Sequence, residues 1–122
     1  MTRTILTVDD STSMRQMVRA TLQSAGYGVV EAADGQEALE FARGNAVDLV
    51  ISDVNMPRTD GIRLVHELRS LPGYRLTPLL LLTTESSQER KLEGKRAGAT
   101  GWIVKPFNPT QLLATLTKLF NA

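Results

Sequence analysis

The 122-residue chain contains no cysteine, which removes disulfides, thiol catalysis and cysteine-ligated metals from its repertoire. Aromatic residues make up only 5% of it, and histidine occurs once, as His66. On the helical pattern around Gly61 to Arg69 that histidine reads as a solvated or capping side chain, and no role is assigned to it. Charge of one sign is scarce: a formal net charge of +1 gives no bulk attraction to nucleic acid or to a membrane surface. The longest apolar run, Leu79 to Leu82, is far too short to cross a bilayer. The opening Met1-Thr2-Arg3-Thr4-Ile5 lacks the apolar stretch of a secretion signal, so a cytoplasmic location is expected. Low-complexity segments and internal repeats are missing too. What remains is 42% hydrophobic and 22% charged, the composition of one ordinary globular domain with a core of conventional size. Binding must therefore come from local sites.

Short β-type runs at Thr4 to Val8, Gly28 to Glu31, Val47 to Ser52, Pro78 to Thr83 and Trp102 to Val104 alternate with longer helical patterns, giving five βα units. In the first helical pattern Met14, Met17, Val18, Thr21, Leu22 and Ala25 share one face, and Gly26 follows as a stop. Asp34-Gly35-Gln36-Glu37 reads as a capping box. Asn108-Pro109-Thr110-Gln111 combines an N-cap, a proline at the first helical position and a glutamine that reaches back, before a stripe of Leu112, Leu113, Leu116, Leu119 and Phe120. Ser86 to Gly98 is the weak segment. Only Leu92 and Ala97 offer core anchors there, Gly94 interrupts, and Arg90, Lys91, Lys95 and Arg96 crowd it with charge. A marginal helix suited to motion or partner contact is expected.

Near-continuous apolar runs at Val47 to Ile51 and Leu79 to Leu82 imply strands buried on both faces. Helical crossovers between such strands require parallel pairing with right-handed connections. The fold class is α/β: a doubly wound sandwich around a parallel five-stranded sheet in the order 2-1-3-4-5.

Three of the runs end in charge: Asp9 and Asp10 follow the first, Asp53 the third and Lys105 the fifth. The strand order sets the first and third runs side by side at a topological switch point, where open α/β sheets bind ligands. Three acids gathered there repel one another, and a hard divalent cation with oxygen ligands removes that penalty. Mg²⁺ suits the set, with Asp10 and Asp53 as ligands, Asp9 acting through water, a backbone carbonyl near Asn55, and a position left for a phosphoryl oxygen. Lys105 is a compact cation suited to pairing with Asp53 at rest and with a phosphoryl oxygen later, and the hydroxyls of Thr83 and Thr84 end the fourth strand beside it. Among the acids, Asp53 stands alone opposite Lys105 and Thr83 and is the choice of nucleophile, forming a mixed acyl phosphate. Each feature taken singly has a plainer reading. Asp9 and Asp10 would be a solvated or capping pair, Asp53 a turn acid before Pro57, Lys105 a surface lysine, Thr83 and Thr84 strand formers, and Trp102, Met14, Met17 and Met56 packing residues. The convergence of acids and lysine at one edge favours the reactive reading.

Taken in order, Val8-Asp9-Asp10-Ser11, Asp53-Val54-Asn55-Met56-Pro57-Arg58-Thr59-Asp60-Gly61, Leu82-Thr83-Thr84-Glu85 and Gly101-Trp102-Ile103-Val104-Lys105-Pro106-Phe107 resemble a response-regulator receiver domain nearly end to end. Among receivers the chain is most similar to stand-alone chemotaxis regulators of the CheY type. The resemblance implies a flavodoxin-like (βα)5 fold, a single receiver domain over residues 1–122 with no output domain, and a cis bond between Lys105 and Pro106. It implies that Asp53 accepts a phosphoryl group from a phosphohistidine on a CheA-like sensor kinase, with Mg²⁺ held by Asp10, Asp53 and the Asn55 carbonyl. Lys105 and Thr83 would grip the phosphoryl group. In the family the threonine then moves inward and an aromatic side chain near the start of strand five, here Trp102 where tyrosine is usual, swaps inward and remodels the face of helix four, strand five and helix five. Asn55 and Glu85 occupy positions that tune the hydrolytic water, which implies a short-lived phosphoryl group.

The partners implied are the kinase, a flagellar motor switch protein or another target, and a phosphatase. Neither nucleic acid nor membrane is expected, and the chain is expected to be a monomer. It is expected not to be an enzyme beyond self-phosphorylation and autophosphatase chemistry. Alternative readings are a phosphate sink that drains the kinase, or a single-domain regulator of pili or development. A hydrolase or flavin carrier on the same fold lacks support, because Asp9 and Asp10 stand where a flavin phosphate would need an anion-binding loop.

Overall fold

Every residue of the segments Leu49–Ser52 and Leu79–Thr83 is buried, and the need to cover both faces of these strands organises the rest of the chain. The computed structural model describes residues 2–121. Its strands are β1 (Thr4–Val8), β2 (Gly28–Ala32), β3 (Leu49–Ser52), β4 (Leu79–Thr83) and β5 (Gly101–Val104). The helices are α1 (Thr12–Ser24), α2 (Gly35–Gly44), α3 (Gly61–Arg69), α4 (Gln88–Ala97) and α5 (Pro109–Phe120), with a single 3-10 turn at Pro72–Tyr74. The sheet runs β2-β1-β3-β4-β5 with every neighbouring pair parallel, as the sequence predicts.

Alternation along the strands divides the core between the two faces of the sheet. Leu6, Val8, Val50, Leu79 and Leu81 pack with Ala38 and Leu39 of α2 and with Leu64, Val65 and Leu68 of α3. Ile5, Leu49, Ile51, Leu80 and Leu82 pack with Val18 and Leu22 of α1 and with Leu112 and Leu116 of α5. Ser11, Asp34, Asp60, Ser87 and Asn108 cap the five α-helices, each side chain accepting a backbone N–H three residues on. Glu37 closes its box on the Ala33 N–H at 3.4 Å, one residue earlier than a standard box. The side chain of Gln111 makes no return bond among the described residues. At the C-terminal end of α3, Arg69 donates to the carbonyls of Tyr74, Thr77 and Gly98, which fixes the approaches to β4 and β5. Burial lowers the pKa of that guanidinium.

Two of the predicted anchoring patterns differ in the folded chain. In α1, Met17 is 57% exposed and Ala25 lies exposed beyond the last turn, so that Val18 and Leu22 carry the burial. A single ridge of Met14, Val18 and Leu22 meets the sheet, and Met17 falls on its flank. In α4, Leu92 is 49% exposed and the buried residue is Gly94. The helix turns its glycine to the sheet because the Trp102 ring of β5 occupies the space beneath it.

The loop from β3 to α3 is tied down at a distance from the sheet. Arg58, at a φ of 69° in the left-handed region, pairs with the Asp34 carboxylate that caps α2. The Glu37 N–H, and then Arg58, hold the Asp34 carboxyl below its ordinary value. Such an acid stabilises the fold fully above the ordinary value of 3.8 and loses that contribution as pH falls through its lower folded value. Asp34→Ala is expected to lose about 1–2 kcal/mol of stability at neutral pH. The deficit relative to the wild type should shrink below about pH 4. Urea melts across that range check it, and a deficit independent of pH would contradict it.

Candidate functional site

The register of the sheet decides which side chains meet at its carboxyl edge. Val8 is level with Ser52, and Thr83 with Val104. The ladder continues one step past the strands, because the Asp53 N–H donates to the Val8 carbonyl at 2.9 Å and the Lys105 N–H to the Thr83 carbonyl at 2.8 Å. Backbone pairing therefore fixes where both side chains emerge. α3 presses on Asp53 from its own side: a Cβ at Gly61 would lie 1.9 Å from the Asp53 carbonyl oxygen. Only glycine permits that approach.

Asp9, Asp10 and Asp53 each offer a carboxylate oxygen within 4.8 Å of the others, with Asp9 and Asp53 buried and Asp10 exposed. Lys105 Nζ donates to Asp9 at 2.9 Å and to Asp53 at 3.3 Å. The resting lysine thus bridges both buried acids, whereas the sequence reading paired it with Asp53 alone. The second oxygen of Asp9 accepts the Ser11 N–H at 2.9 Å, and that of Asp53 accepts the Val54 N–H at 2.7 Å. Desolvation is the largest single influence on Lys105 and pushes its pKa down. The hydrogen bond to Asp9 and the charges of Asp53 and Asp9 outweigh it and hold the ammonium above the ordinary lysine value.

One cation against three carboxylates leaves the cluster short of positive charge. Asp10 has no protein partner among the described residues, and the Asn55 carbonyl, on an exposed loop residue, accepts no backbone N–H among them. An all-oxygen donor set with two ligands free to turn fits a hard divalent cation such as Mg²⁺. Asp9 and Asp53 each have both oxygens engaged by protein donors, one of them Lys105, so an ion there would compete with the lysine for them.

Thr83 is fully buried, and its hydroxyl accepts the Glu85 N–H at 3.2 Å. Thr84 is exposed beyond the strand end. Among the described residues, neither hydroxyl bonds Asp53 or Lys105. The Ser87 N–H and hydroxyl hold the Glu85 carboxyl below its ordinary value. The Glu85 carbonyl accepts the Trp102 indole N–H at 2.9 Å, so Thr83, the loop after it and Trp102 form one hydrogen-bonded chain. The indole lies half-buried over Gly94, where a Cβ would sit 3.0 Å from ring atom Cζ3 and 3.1 Å from Leu81 Cδ1. Gly94 is therefore a socket for the ring.

Arg15 is a site residue that sequence reasoning missed. Its guanidinium donates to the Asp9 carbonyl at 2.5 Å and pairs with Glu31 at 3.3 Å, which pins the backbone of the acid pair to α1. Its place in the first turns of α1, soon after the acid pair, was the only signal.

A parallel sheet that gathers acids from β1 and β3 and a lysine from β5 at its switch point defines the receiver class of signalling domains. The family model of the response regulator receiver domain matches residues 5–117, and the chain belongs to that family, among its CheY-like members. Chemotaxis protein CheY-3 of Vibrio cholerae is 38% identical over 118 residues, spanning 96% of this chain and 91% of that protein. The solved chemotaxis response regulator CheY4 of Vibrio cholerae is 55% identical, with a TM-score of 0.92 over 98% of this chain and 99% of that one. The receiver domain of the sensor histidine kinase PA1611 from Pseudomonas aeruginosa, solved with a magnesium ion coordinated in its active-site cleft, is 28% identical with a TM-score of 0.92 over the full length of both chains.

Two outcomes follow from this geometry. Lys105→Met removes the ammonium that competes with a cation for Asp9 and Asp53, so Mg²⁺ should bind about tenfold more tightly by calorimetry. Unchanged or weaker binding would contradict that competition. Gly94→Ala should displace the indole and red-shift the emission of the sole tryptophan, in spite of alanine's helix-propensity advantage of about 1 kcal/mol. Unchanged emission together with a gain in stability would refute the socket.

Proposed function

We propose that the chain is a phosphorylation-gated binding module in which Asp53 is the phosphoacceptor. The observation that carries this reading is a buried Asp53 carboxylate bridged through Lys105 to Asp9, with Asp10 exposed beside them. An Asp53 carboxylate oxygen attacks the phosphorus of a kinase phosphohistidine. The P–N bond breaks, and its electron pair leaves with the imidazole nitrogen. Lys105, released from the carboxylates, binds a phosphoryl oxygen, and Thr83 turns its hydroxyl to another. The Thr83 hydroxyl then leaves the Glu85 N–H, so the change reaches Trp102 through the Glu85 carbonyl. Asp10, Asp53 and the Asn55 carbonyl would hold Mg²⁺, with Asp9 acting on it through water. When bound, that ion offsets the repulsion among the carboxylates and the phosphoryl oxygens. The magnesium in the related PA1611 receiver supports this choice of ion. Asn55 and Glu85 tune the attack of water that later cleaves the acyl phosphate, and no other reaction is assigned to the chain.

The output face is formed by α4, β5 and α5. Two hollows of about 330 Å³ flank Trp102, one edged by Lys91 and Lys95, the other by Pro106, Gln111 and Thr115. Val104, in the lining of the second, is 40% exposed. Exposed apolar area beside two lysines suits an amphipathic acidic segment. The likeness to proteins named for chemotaxis supports the flagellar motor switch as the target.

Calorimetric titration of the N-terminal segment of that switch protein, with Mg²⁺ alone and with Mg²⁺ plus beryllium fluoride, tests the output. Affinity should tighten about tenfold or more with the phosphoryl mimic, a coupling of about 1.4 kcal/mol. A Trp102 fluorescence response to the mimic without any binding would reject the motor switch and favour a phosphate sink or another target.

A further inference from the structure

The hydroxyl of Thr7 is the only fully buried side-chain nitrogen or oxygen among the described residues that has no protein hydrogen-bond partner. Thr7 is 2% exposed and lies in β1 on the same side of the strand as Ile5, two residues before Asp9. Valine has the same shape and would serve the apolar neighbours equally well, so packing does not explain the hydroxyl. Buried hydroxyls in folded proteins are satisfied by ordered water wherever a polar cavity has room for it. A hollow of about 10 Å³ is present, mostly apolar along Val18, Ile51 and Leu82, with Thr7, Asp9, Arg15 and Asp53 as its polar lining. That is room for a single water.

We propose that this cavity binds one water molecule, which accepts the Thr7 O–H and donates its two protons to the carboxylates of Asp9 and Asp53, making Thr7 a positioning residue for the phosphoacceptor. The hydrogen-bonding inventory fits. A hydroxyl supplies one proton and water two, while each ionised carboxylate has about four acceptor sites. At present the protein fills only two around Asp9, from Ser11 and Lys105, and two around Asp53, from Val54 and Lys105. A donor from inside the fold would hold the Asp53 carboxylate in one orientation while leaving its outer side to incoming groups. The positioning role rests on the phosphoacceptor reading above, whereas the water site does not.

Crystal structures of the wild type and of Thr7→Val at about 1.2 Å resolution test the water. The wild type should show a density peak within about 3.2 Å of Thr7 Oγ1 and of a carboxylate oxygen of Asp9 or Asp53, and the peak should be absent from the valine variant. A dry cavity, or a Thr7 hydroxyl turned onto a backbone carbonyl, would overturn the site. Phosphorylation by phosphoramidate at saturating Mg²⁺ tests the positioning. Thr7→Val should slow it about threefold or more, with Mg²⁺ affinity within about twofold of the wild type and with Thr7→Ser restoring the rate. An unchanged rate in a valine variant that has lost the water would refute the positioning role. A wild type that takes up no phosphoryl group would overturn the phosphoacceptor reading and the positioning role together, while the density would still decide the water.

Discussion

Repulsion among three carboxylates at one edge of a parallel sheet is the constraint on which the rest of the site depends. Two of the acids are buried, where like charges are costly, and the Lys105 ammonium bridges them. The backbone enforces the gathering: the bonds from Asp53 to Val8 and from Lys105 to Thr83 extend the ladder past the strands, and Gly61 holds α3 against the Asp53 carbonyl. Neither acid can retreat without breaking the sheet. The edge is therefore left short of positive charge, and Asp10 and the Asn55 carbonyl have no partner there among the described residues.

The same economy explains why the weakest helix lies beside the site. α4 buries only Gly94 fully, and it leans on Trp102 where a leucine would ordinarily anchor a helix. An element with so little apolar anchorage moves for a small change in free energy. Its tether is the chain from the Thr83 hydroxyl through the Glu85 peptide to the indole N–H, which begins at the end of β4 beside the lysine's own strand. Strong register at the carboxyl edge and weak packing above it place a rigid cluster of acids and lysine next to a weakly anchored helix.

Much of this was readable in the sequence because it depends on strand ends. Runs of apolar residues stop where Asp9, Asp53 and Lys105 begin, and the switch-point rule for parallel sheets brings those stops together. The caps of α2 and α5, Asp34 and Asn108, were equally plain, since a cap is a local bond. What escaped was decided by packing between distant segments. Met17 and Leu92 fit their helical stripes, yet one lies on the flank of its ridge and the other gives way to a ring supplied by β5. Gly94 read as a defect because its partner, Trp102, is near only in space. The lysine that bridges Asp9 as well as Asp53, the Arg15 clamp on the Asp9 carbonyl and the unpartnered Thr7 hydroxyl likewise depend on side-chain geometry that no spacing rule encodes.

The most direct measurement of the central claim is the site of covalent modification. The chain would be incubated with Mg²⁺ and a small phosphoryl donor such as acetyl phosphate, the acyl phosphate trapped by borohydride reduction, and the peptides mapped by mass spectrometry. A single adduct on Asp53 is predicted, dependent on Mg²⁺ and absent from Asp53→Asn. An adduct on Asp9 or Asp10, or none while Mg²⁺ is bound, would contradict the assignment of the acids.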